Sequence, residues 1–299
     1  MNQSVDAYPS RNRPTAAIRP RRDPVVYGKR TSGEAALAPA LIDRYERDGY
    51  LSFESFFERM TIFELSADLE RLRRRVAADD PTVIREPESQ AVRSIFEVHR
   101  RSGAVRRLIR DPRLLQAVEQ ILGGKVYVHQ SRINFKSGFE GEPFYWHSDF
   151  ETWHMEDGMP RMRAVSAQIS LSENTMLNGP LMLIPGSHRH YIACVGATPD
   201  DHYKSSLRRQ EYGVPDPDNL RWLVAQGGGL AAPVGPVGSM VLFDCNTIHG
   251  SNSNITPFSR TNLFVVFNSV ENALEEPYGG TKPRPDFIAS RQVEPLDPG

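Results

Sequence analysis

The sequence predicts a mainly β protein, with a jelly-roll core (a double-stranded β-helix, cupin-like) and a helical buttress. Short strand-like runs lie at 125–135, 164–171, 181–184, 239–244 and 261–268, and Gly, Pro and Asn residues separate them. The pattern between these runs lacks the regular helices that parallel βαβ units require. A sandwich or jelly roll is therefore favoured over a doubly wound parallel sheet.

The first half of the chain has a helical pattern. Apolar residues recur near the 3.6-residue period from about 36 to 122. The clearest helix begins at Asp111-Pro112, where an aspartate can cap the helix and a proline can occupy its first position. Gly123-Gly124 then ends it. We interpret this part as a support for the β core and assign no chemistry to it.

The chain divides into a short arm and one domain. Residues 1–30 contain the arginines Arg11, Arg13, Arg19, Arg21, Arg22 and Arg30. This composition, with little apolar periodicity, predicts a flexible basic arm. Residues 31–299 are interpreted as a single domain, with the helical part at about 36–122 and the jelly roll at about 125–270. A long polar stretch from about 196 to 230 is typical of a lid or a binding segment.

Charge and cysteine content exclude several classes of protein. The 36 Lys+Arg and 37 Asp+Glu residues give a net charge of −1, which argues against binding nucleic acid or an anionic membrane through bulk charge. No apolar run approaches the length of a membrane span. The two cysteines, Cys194 and Cys245, give no disulfide framework. We therefore expect a soluble cytoplasmic protein without nucleic-acid or membrane partners.

Three of the chain's polar residues have the spacing of a metal site. His147 and Asp149 stand two residues apart, so on a strand both side chains lie on one face. His249 follows one hundred residues after Asp149, between a strand-like run and a turn. Two imidazoles and one carboxylate form the facial triad that leaves three positions open on Fe(II) for oxygen and a chelating cosubstrate.

Basic and polar residues on two strands could bind that cosubstrate. Arg260, eleven residues after His249, could clamp the carboxylate of a dicarboxylate whose other end chelates the metal. The alternative is an arginine paired with a surface acid. Gln130, Asn134 and Lys136 alternate along one strand and can face a single cavity. Residues on a second strand-like run, at 261–268 with Arg260 at its start, also alternate, so Arg260, Asn262 and Phe264 share one face. Lys136 is one of only five lysines.

Three segments resemble a known family. They are 144–164 (FYWHSDFETWHMEDGMPRMRA), 243–260, which begins FDCNTIHGSN, and 183–188 (LIPGSH). They resemble the ectoine hydroxylases, a branch of the non-haem iron, 2-oxoglutarate-dependent dioxygenases related to phytanoyl-CoA hydroxylase. The resemblance covers nearly the whole chain from about residue 36, and the first segment is much more specific than the triad alone.

The resemblance implies hydroxylation of ectoine, a compatible solute, to 5-hydroxyectoine, with release of succinate and CO₂. It implies Fe(II) as the metal, 2-oxoglutarate and O₂ as cosubstrates, and a homodimer. Iron ligation falls on His147, Asp149 and His249. The residues expected to bind 2-oxoglutarate are Lys136, Arg260 and Asn134. The residues expected to contact ectoine are Gln130, Trp153, Thr152 and Phe264.

Two alternatives remain open from the sequence. The first is the same chemistry on another small substrate, such as an amino acid or an acyl-CoA thioester. A nucleotide-bearing thioester needs a basic entrance, and the Arg-rich stretch at 208–221 leaves that open. The second is a non-catalytic jelly roll in which the triad holds a structural metal. Succinate release that depends on ectoine distinguishes both from an ectoine hydroxylase.

Overall fold

The computed structural model describes residues 5–12, 14–28, 36–86, 89–199, 201–207 and 212–299. The helices are Pro39–Asp48 (α1), Arg59–Arg75 (α2), Val98–Arg101 (α3), Gly103–Leu108 (α4), Pro112–Leu122 (α5), Asp149–Thr152 (α6), Tyr203–Ser206 (α7) and Pro217–Gln226 (α8). A π-helical turn, Trp153–Asp157, continues α6. Within these described ranges, no helix is long and apolar enough to cross a membrane.

The strands of the described ranges form three antiparallel sheets. They are Ala17–Pro20 (β1), Tyr50–Phe53 (β2), Val83–Arg85 (β3), Val92–Phe96 (β4), Val126–Lys136 (β5), Phe144–His147 (β6), Ala164–Ser170 (β7), Leu181–Leu183 (β8), His190–Ala193 (β9), Met240–Asp244 (β10), His249–Ser251 (β11) and Arg260–Ser269 (β12). The largest sheet has the order β2-β10-β7-β12-β5-β4-β3, and a second has the order β6-β11-β8. The third pairs β1 with β9. The predicted jelly-roll core is confirmed.

The two faces of the seven-stranded sheet have different partners. On β7, Val165, Ala167 and Ile169 lie in the main hydrophobic core together with side chains of α1, α2, α4 and α5. The intervening residues, including Ser166 and Gln168, therefore face the smaller sheet, because side chains alternate along a strand. The helices cover the apolar face as predicted. The polar face is left for the interior of the jelly roll.

The predicted helix after Asp111 is α5, and its ends follow the capping rules. The Asp111 carboxylate accepts a hydrogen bond from the backbone N–H of Arg113 at 2.9 Å. Gly123 ends the helix in the left-handed conformation, with φ of 71°. A Cβ at this glycine would lie 2.8 Å from the backbone of Tyr27, so both the backbone angle and the close contact favour glycine.

Three strands occur inside the region that the sequence pattern describes as helical. β2 extends one edge of the large sheet by pairing with β10, and β4 pairs with β5 near the other edge. β3 then pairs with β4. These strands have three to five residues each, too few for a periodic pattern to be visible. The helical part is thus a set of helices interleaved with strands of the large sheet.

The prediction of a flexible arm over residues 1–30 is wrong for the described part, residues 5–12 and 14–28. β1 pairs with β9, and the side chains of Arg11 and Arg21 are buried. Each has a buried carboxylate partner, Glu151 at 2.7 Å and Asp244 at 2.8 Å respectively. These arginines can be buried because each is paired with a carboxylate. The carboxylates lie far away along the chain, so the local sequence pattern did not indicate the pairing. Arg13 and Arg30 lie outside the described residues.

The described residues of the stretch from 196 to 230 include two helices, α7 and α8. Asp216 caps α8 by accepting hydrogen bonds from the backbone N–H groups of Asp218 and Asn219. Residues 200 and 208–211 lie outside the described part of the chain. The start of the Arg-rich stretch at 208–221 is therefore not described. A role as a lid or binding segment stays a prediction.

Candidate active site

The two histidines of the predicted triad lie opposite each other on neighbouring strands. His147 ends β6 and His249 begins β11, and the antiparallel register pairs them directly. Their ring centroids are 4.2 Å apart. Asp149 is the first residue of α6, and its Oδ1 lies 3.6 Å from Nε2 of His147 and 3.9 Å from Nε2 of His249. One ligand atom from each residue lies within 4.8 Å of the others.

Backbone carbonyls fix the orientation of both imidazoles. Nδ1–H of His147 donates to the carbonyl of Tyr145 at 2.8 Å, and Nδ1–H of His249 donates to the carbonyl of Thr247 at 3.0 Å. Because a carbonyl only accepts, Nδ1 carries the proton in each ring. Nε2 therefore presents its lone pair towards Asp149, which is the tautomer that metal-binding histidines use.

The protonation states also suit a metal. Burial, followed by the nearby His147, lowers the pKa of His249 to about 4, which keeps this imidazole neutral. Burial alone would raise the pKa of Asp149, but His249 and His147 hold it below its ordinary value, so the carboxylate is ionised. Neutral imidazole and ionised carboxylate are the forms that bind divalent metals. The donor set therefore fits a metal ion with three open positions.

A cavity opens beside these residues, between the two main sheets. Its charged lining residues are Glu86, Arg93, Arg132, Lys136, Glu142 and Arg260. Its other lining residues are Ser94, Phe96, Asn134, Phe135, Phe144, His147, Leu181, Leu207, His249, Gly250, Ser251 and Phe264. Four cationic side chains thus accompany two carboxylates. The excess of positive charge favours an anionic ligand.

Lys136 and Arg260 lie side by side at one end of this cavity. The register of β5 and β12 places them directly opposite each other. Nζ of Lys136 donates to Oγ of Ser251 at 2.9 Å and to the carbonyl of Asn252. Nη1 of Arg260 donates to the carbonyl of Gly179, whereas its buried Nε has no hydrogen-bond partner among the described residues. A carboxylate here would supply the missing acceptor.

Burial and mutual repulsion disfavour the charged forms of both groups. Burial, followed by the neighbouring Arg260, lowers the pKa of Lys136 to about 6. Burial, followed by Arg93, lowers the pKa of Arg260 to about 10. Among the ion pairs of the described residues, Arg93 pairs with Glu86 at 3.0 Å, whereas Lys136 and Arg260 have no such pair. An incoming anion would relieve the repulsion and raise the pKa of Lys136.

The structure brings most of the predicted site residues together. His147, His249, Lys136, Arg260, Asn134 and Phe264 all line the cavity. Asp149 lies at its metal end. The Asn134 amide donates to Oγ of Ser94 at 3.2 Å. The ring of Phe264 lies under the guanidinium of Arg132, 5.1 Å from its carbon to the ring centroid.

Three of the four residues predicted to contact ectoine do not line this cavity. Nε2 of Gln130 donates to the carbonyl of Ile288 at 2.7 Å, while its Oε1 accepts from Arg132 at 2.8 Å. Trp153 is buried in a separate cluster, with its ring 5.0 Å from that of His129. Thr152 is buried at the end of α6. Their assignment to the substrate stays a prediction.

Sequence reasoning missed several residues at the site. Arg132 lies between Gln130 and Asn134 with the same strand parity, so the alternation rule already pointed to it. Ser166, whose Oγ donates to Oδ2 of Asp149 at 3.4 Å, sits on the polar face of β7. Arg93 had no local signal, because its strand β4 lies in the region with the helical pattern.

Comparison with known proteins places the chain in a family. The phytanoyl-CoA dioxygenase (PhyH) profile matches residues 45–262. The ectoine dioxygenase of Bordetella parapertussis is 54% identical over 307 residues, which cover 99% of this chain and 97% of that protein. The match therefore includes the helices, both main sheets and the triad.

Solved structures agree. EctD from S. alaskensis, crystallised with 2-oxoglutarate and 5-hydroxyectoine, matches with a TM-score of 0.88 and 46% identity, covering 98% of this chain and 97% of that one. The structure of the same enzyme with bound Fe gives a TM-score of 0.87 at 45% identity, covering 98% of each chain. Fold, triad and sequence similarity together show that the chain belongs to the phytanoyl-CoA dioxygenase family and, within it, to the ectoine dioxygenases.

Proposed function

We propose that this protein is an Fe(II)- and 2-oxoglutarate-dependent dioxygenase that hydroxylates ectoine to 5-hydroxyectoine and releases succinate and CO₂. The carrying observation is that His147, Asp149 and His249 converge next to a cavity with an excess of cationic side chains. A metal site beside an anion site is what this chemistry requires. The full-length similarity to ectoine dioxygenases supports the choice of substrate.

His147, Asp149 and His249 would hold the iron, which with 2-oxoglutarate activates O₂ for insertion into a C–H bond. The protein's own contribution is to keep the three ligand atoms in place. The carbonyls of Tyr145 and Thr247 fix the two rings, and Oγ of Ser166 orients the Asp149 carboxylate. Such supporting hydrogen bonds set ligand geometry and basicity.

We place 2-oxoglutarate between the metal site and the pair Lys136 and Arg260. Its far carboxylate would accept from the unpartnered Nε–H of Arg260 and from Nζ of Lys136, and its negative charge would favour the protonated form of this lysine. Asn134, which lines the same cavity, is a further hydrogen-bond donor to this ligand. This end-to-end anchoring would fix the keto acid in one orientation.

Ectoine is assigned to Gln130, Thr152, Trp153 and Phe264. Phe264 lines the cavity, and Gln130 shares the inward face of β5 with Asn134. Thr152 and Trp153 follow the metal-site residue Asp149 within one helical turn. Aromatic walls with a few polar anchors suit a small cyclic zwitterion, whose delocalised positive charge can lie against an indole.

We further infer a cytoplasmic homodimer with one domain over residues 31–299. Both cysteines are buried free thiols, as a reducing compartment permits. The family resemblance supports the dimer. The large sheet contains strands from the helical part and from the jelly roll, which supports treating both as one domain.

The test is turnover by the purified protein with Fe(II), ascorbate, 2-oxoglutarate and ectoine. We expect a product heavier than ectoine by one oxygen atom and one succinate for each product. His147→Ala should abolish both. His190→Gln, a histidine on β9 outside the triad, is the matched control and should retain turnover. Succinate release that does not respond to ectoine would contradict the proposed substrate.

A further inference from the structure

The beginning of the chain runs along the helix that carries Asp149. We define residues 6–11 as the N-terminal strap. Oδ1 of Asp6 lies 3.0 Å from Nε2 of His154, and the ring of Tyr8 packs edge-on against Phe150 with centroids 5.2 Å apart. Oγ of Ser10 donates to Oε1 of Glu151 at 2.6 Å. The strap thus contacts both α6 and the π-helical turn that follows it.

Arg11 makes the strongest of these contacts. Its Nε and Nη2 donate to the two carboxylate oxygens of Glu151 at 3.0 and 2.7 Å, while Nη1 donates to Oε1 of Glu156 at 2.7 Å. All three side chains are almost completely buried. A bidentate pair of this kind fixes direction as well as distance, because the guanidinium is a rigid planar fork.

The backbone at Arg11 has an uncommon conformation, and a neighbouring glycine packs closely on its side chain. Arg11 adopts a left-handed conformation with φ of 58°, which few non-glycine residues adopt unless their surroundings hold them there. Its N–H donates to the carbonyl of Cys194 at 2.9 Å. Gly213 packs on the ion pair so closely that a Cβ there would lie 2.3 Å from Oε2 of Glu151 and 2.5 Å from Nη2 of Arg11.

We propose that Arg11 is a positioning residue for the metal site. By holding Glu151 and Glu156, it sets the position of the helix whose first residue is Asp149. Its removal would leave the buried Glu151 carboxylate without a cation among the described residues, and Glu156 with Arg284 at 3.9 Å as its remaining partner. The helix would then have to shift or admit water. The inference rests on the metal role of Asp149 in the proposed function, but it concerns a residue that touches neither metal nor substrate.

The test compares Fe(II) affinity in Arg11→Met, Arg11→Lys and the wild-type protein, by anaerobic titration calorimetry. We expect Arg11→Met to bind Fe(II) about 10- to 100-fold more weakly, the usual cost of losing a supporting contact at a metal site. Arg11→Lys, which keeps the charge but loses the fork, should fall between. Arg163→Met is the matched control, since Arg163 pairs with Glu271 and the carbonyl of Leu122, away from the triad.

Hydrogen exchange separates positioning from general destabilisation. In Arg11→Met, the amides of residues 149–157 should exchange faster while those of α5 keep their protection. If Arg11→Met does not fold, Arg11→Lys decides the question by the same two measurements. Wild-type Fe(II) affinity in the folded variant, even with a lower unfolding midpoint, would overturn the proposal. Absence of Fe(II) binding by the wild-type protein would overturn the proposed function together with it.

Discussion

At Lys136, burial opposes ionisation. The pKa of this amine falls from 10.5 to about 6, first through burial and then through the facing Arg260 and Arg93, whereas Glu86 and Glu142 act in the opposite direction. Between these two pKa values the unfolded chain binds more protons at this site than the folded chain. The contribution of Lys136 to the free energy of unfolding of the ligand-free protein therefore rises with pH across this window.

The same shift makes binding of 2-oxoglutarate pH-dependent. A dianion beside Lys136 should return its pKa towards the ordinary value, so binding at pH 8 should take up a proton, and affinity should fall as the pH rises above about 6. Titration calorimetry in buffers with different heats of ionisation measures this uptake. Lys136→Arg, which stays protonated, should bind without the uptake from this site, and Lys136→Met should bind more weakly. Equal heats in all buffers for the wild type would contradict this placement of the cosubstrate.

At the scale of single elements, the α5 cap offers a test of local determinants. Asp111→Ala removes the side-chain acceptor for the backbone N–H of Arg113. We expect the free energy of unfolding to fall by about 1 kcal/mol, as for other N-caps. Chemical denaturation measures this, with the exposed Asp79→Ala as the control. A change no larger than that of the control would show that Pro112 and the packing of α5 suffice to begin the helix.

The elements predicted correctly are those whose determinants are local. α5 has its cap, proline and glycine within the helix and its flanks, and β7 alternates between two faces within seven residues. β4 has no such signal, because its place depends on pairing with β5. The N-terminal strap was missed for the same reason: Arg11 finds its acid, Glu151, 140 residues away. Composition alone made this segment look disordered.

The residues of the site divide in the same way, into those with a local sequence signal and those placed by contacts between distant segments. His147 and Asp149 stand out because their spacing is local, and strand parity selected Asn134 and Lys136 for the cavity. Arg93, by contrast, reaches that cavity only through sheet order. Being near the triad in sequence did not predict cavity lining either, since Trp153 is buried in a different cluster. Contacts between distant segments need the assembled fold.

At the scale of the whole molecule, the triad joins separate parts of the chain. His147 ends a strand, Asp149 begins a helix, and His249 lies one hundred residues further on. A metal bound by all three would therefore tie β6, α6 and β11 together. Since the unfolded chain cannot present these three ligands together, metal binding should stabilise the folded state.

Fe(II) should raise the unfolding temperature, and the rise should grow with the logarithm of the free Fe(II) concentration above Kd. At a free concentration 100 times Kd, binding to the folded state alone contributes about 2.7 kcal/mol. With an unfolding entropy of about 2 cal/mol/K per residue, a chain of 299 residues should then unfold about 4–5 °C higher. Anaerobic differential scanning calorimetry, with and without a chelator, measures it. His147→Ala should show no rise, and Ca²⁺, which prefers oxygen ligands, should not replace Fe(II) in the wild type. An equal rise in His147→Ala would place the stabilising metal elsewhere in the molecule.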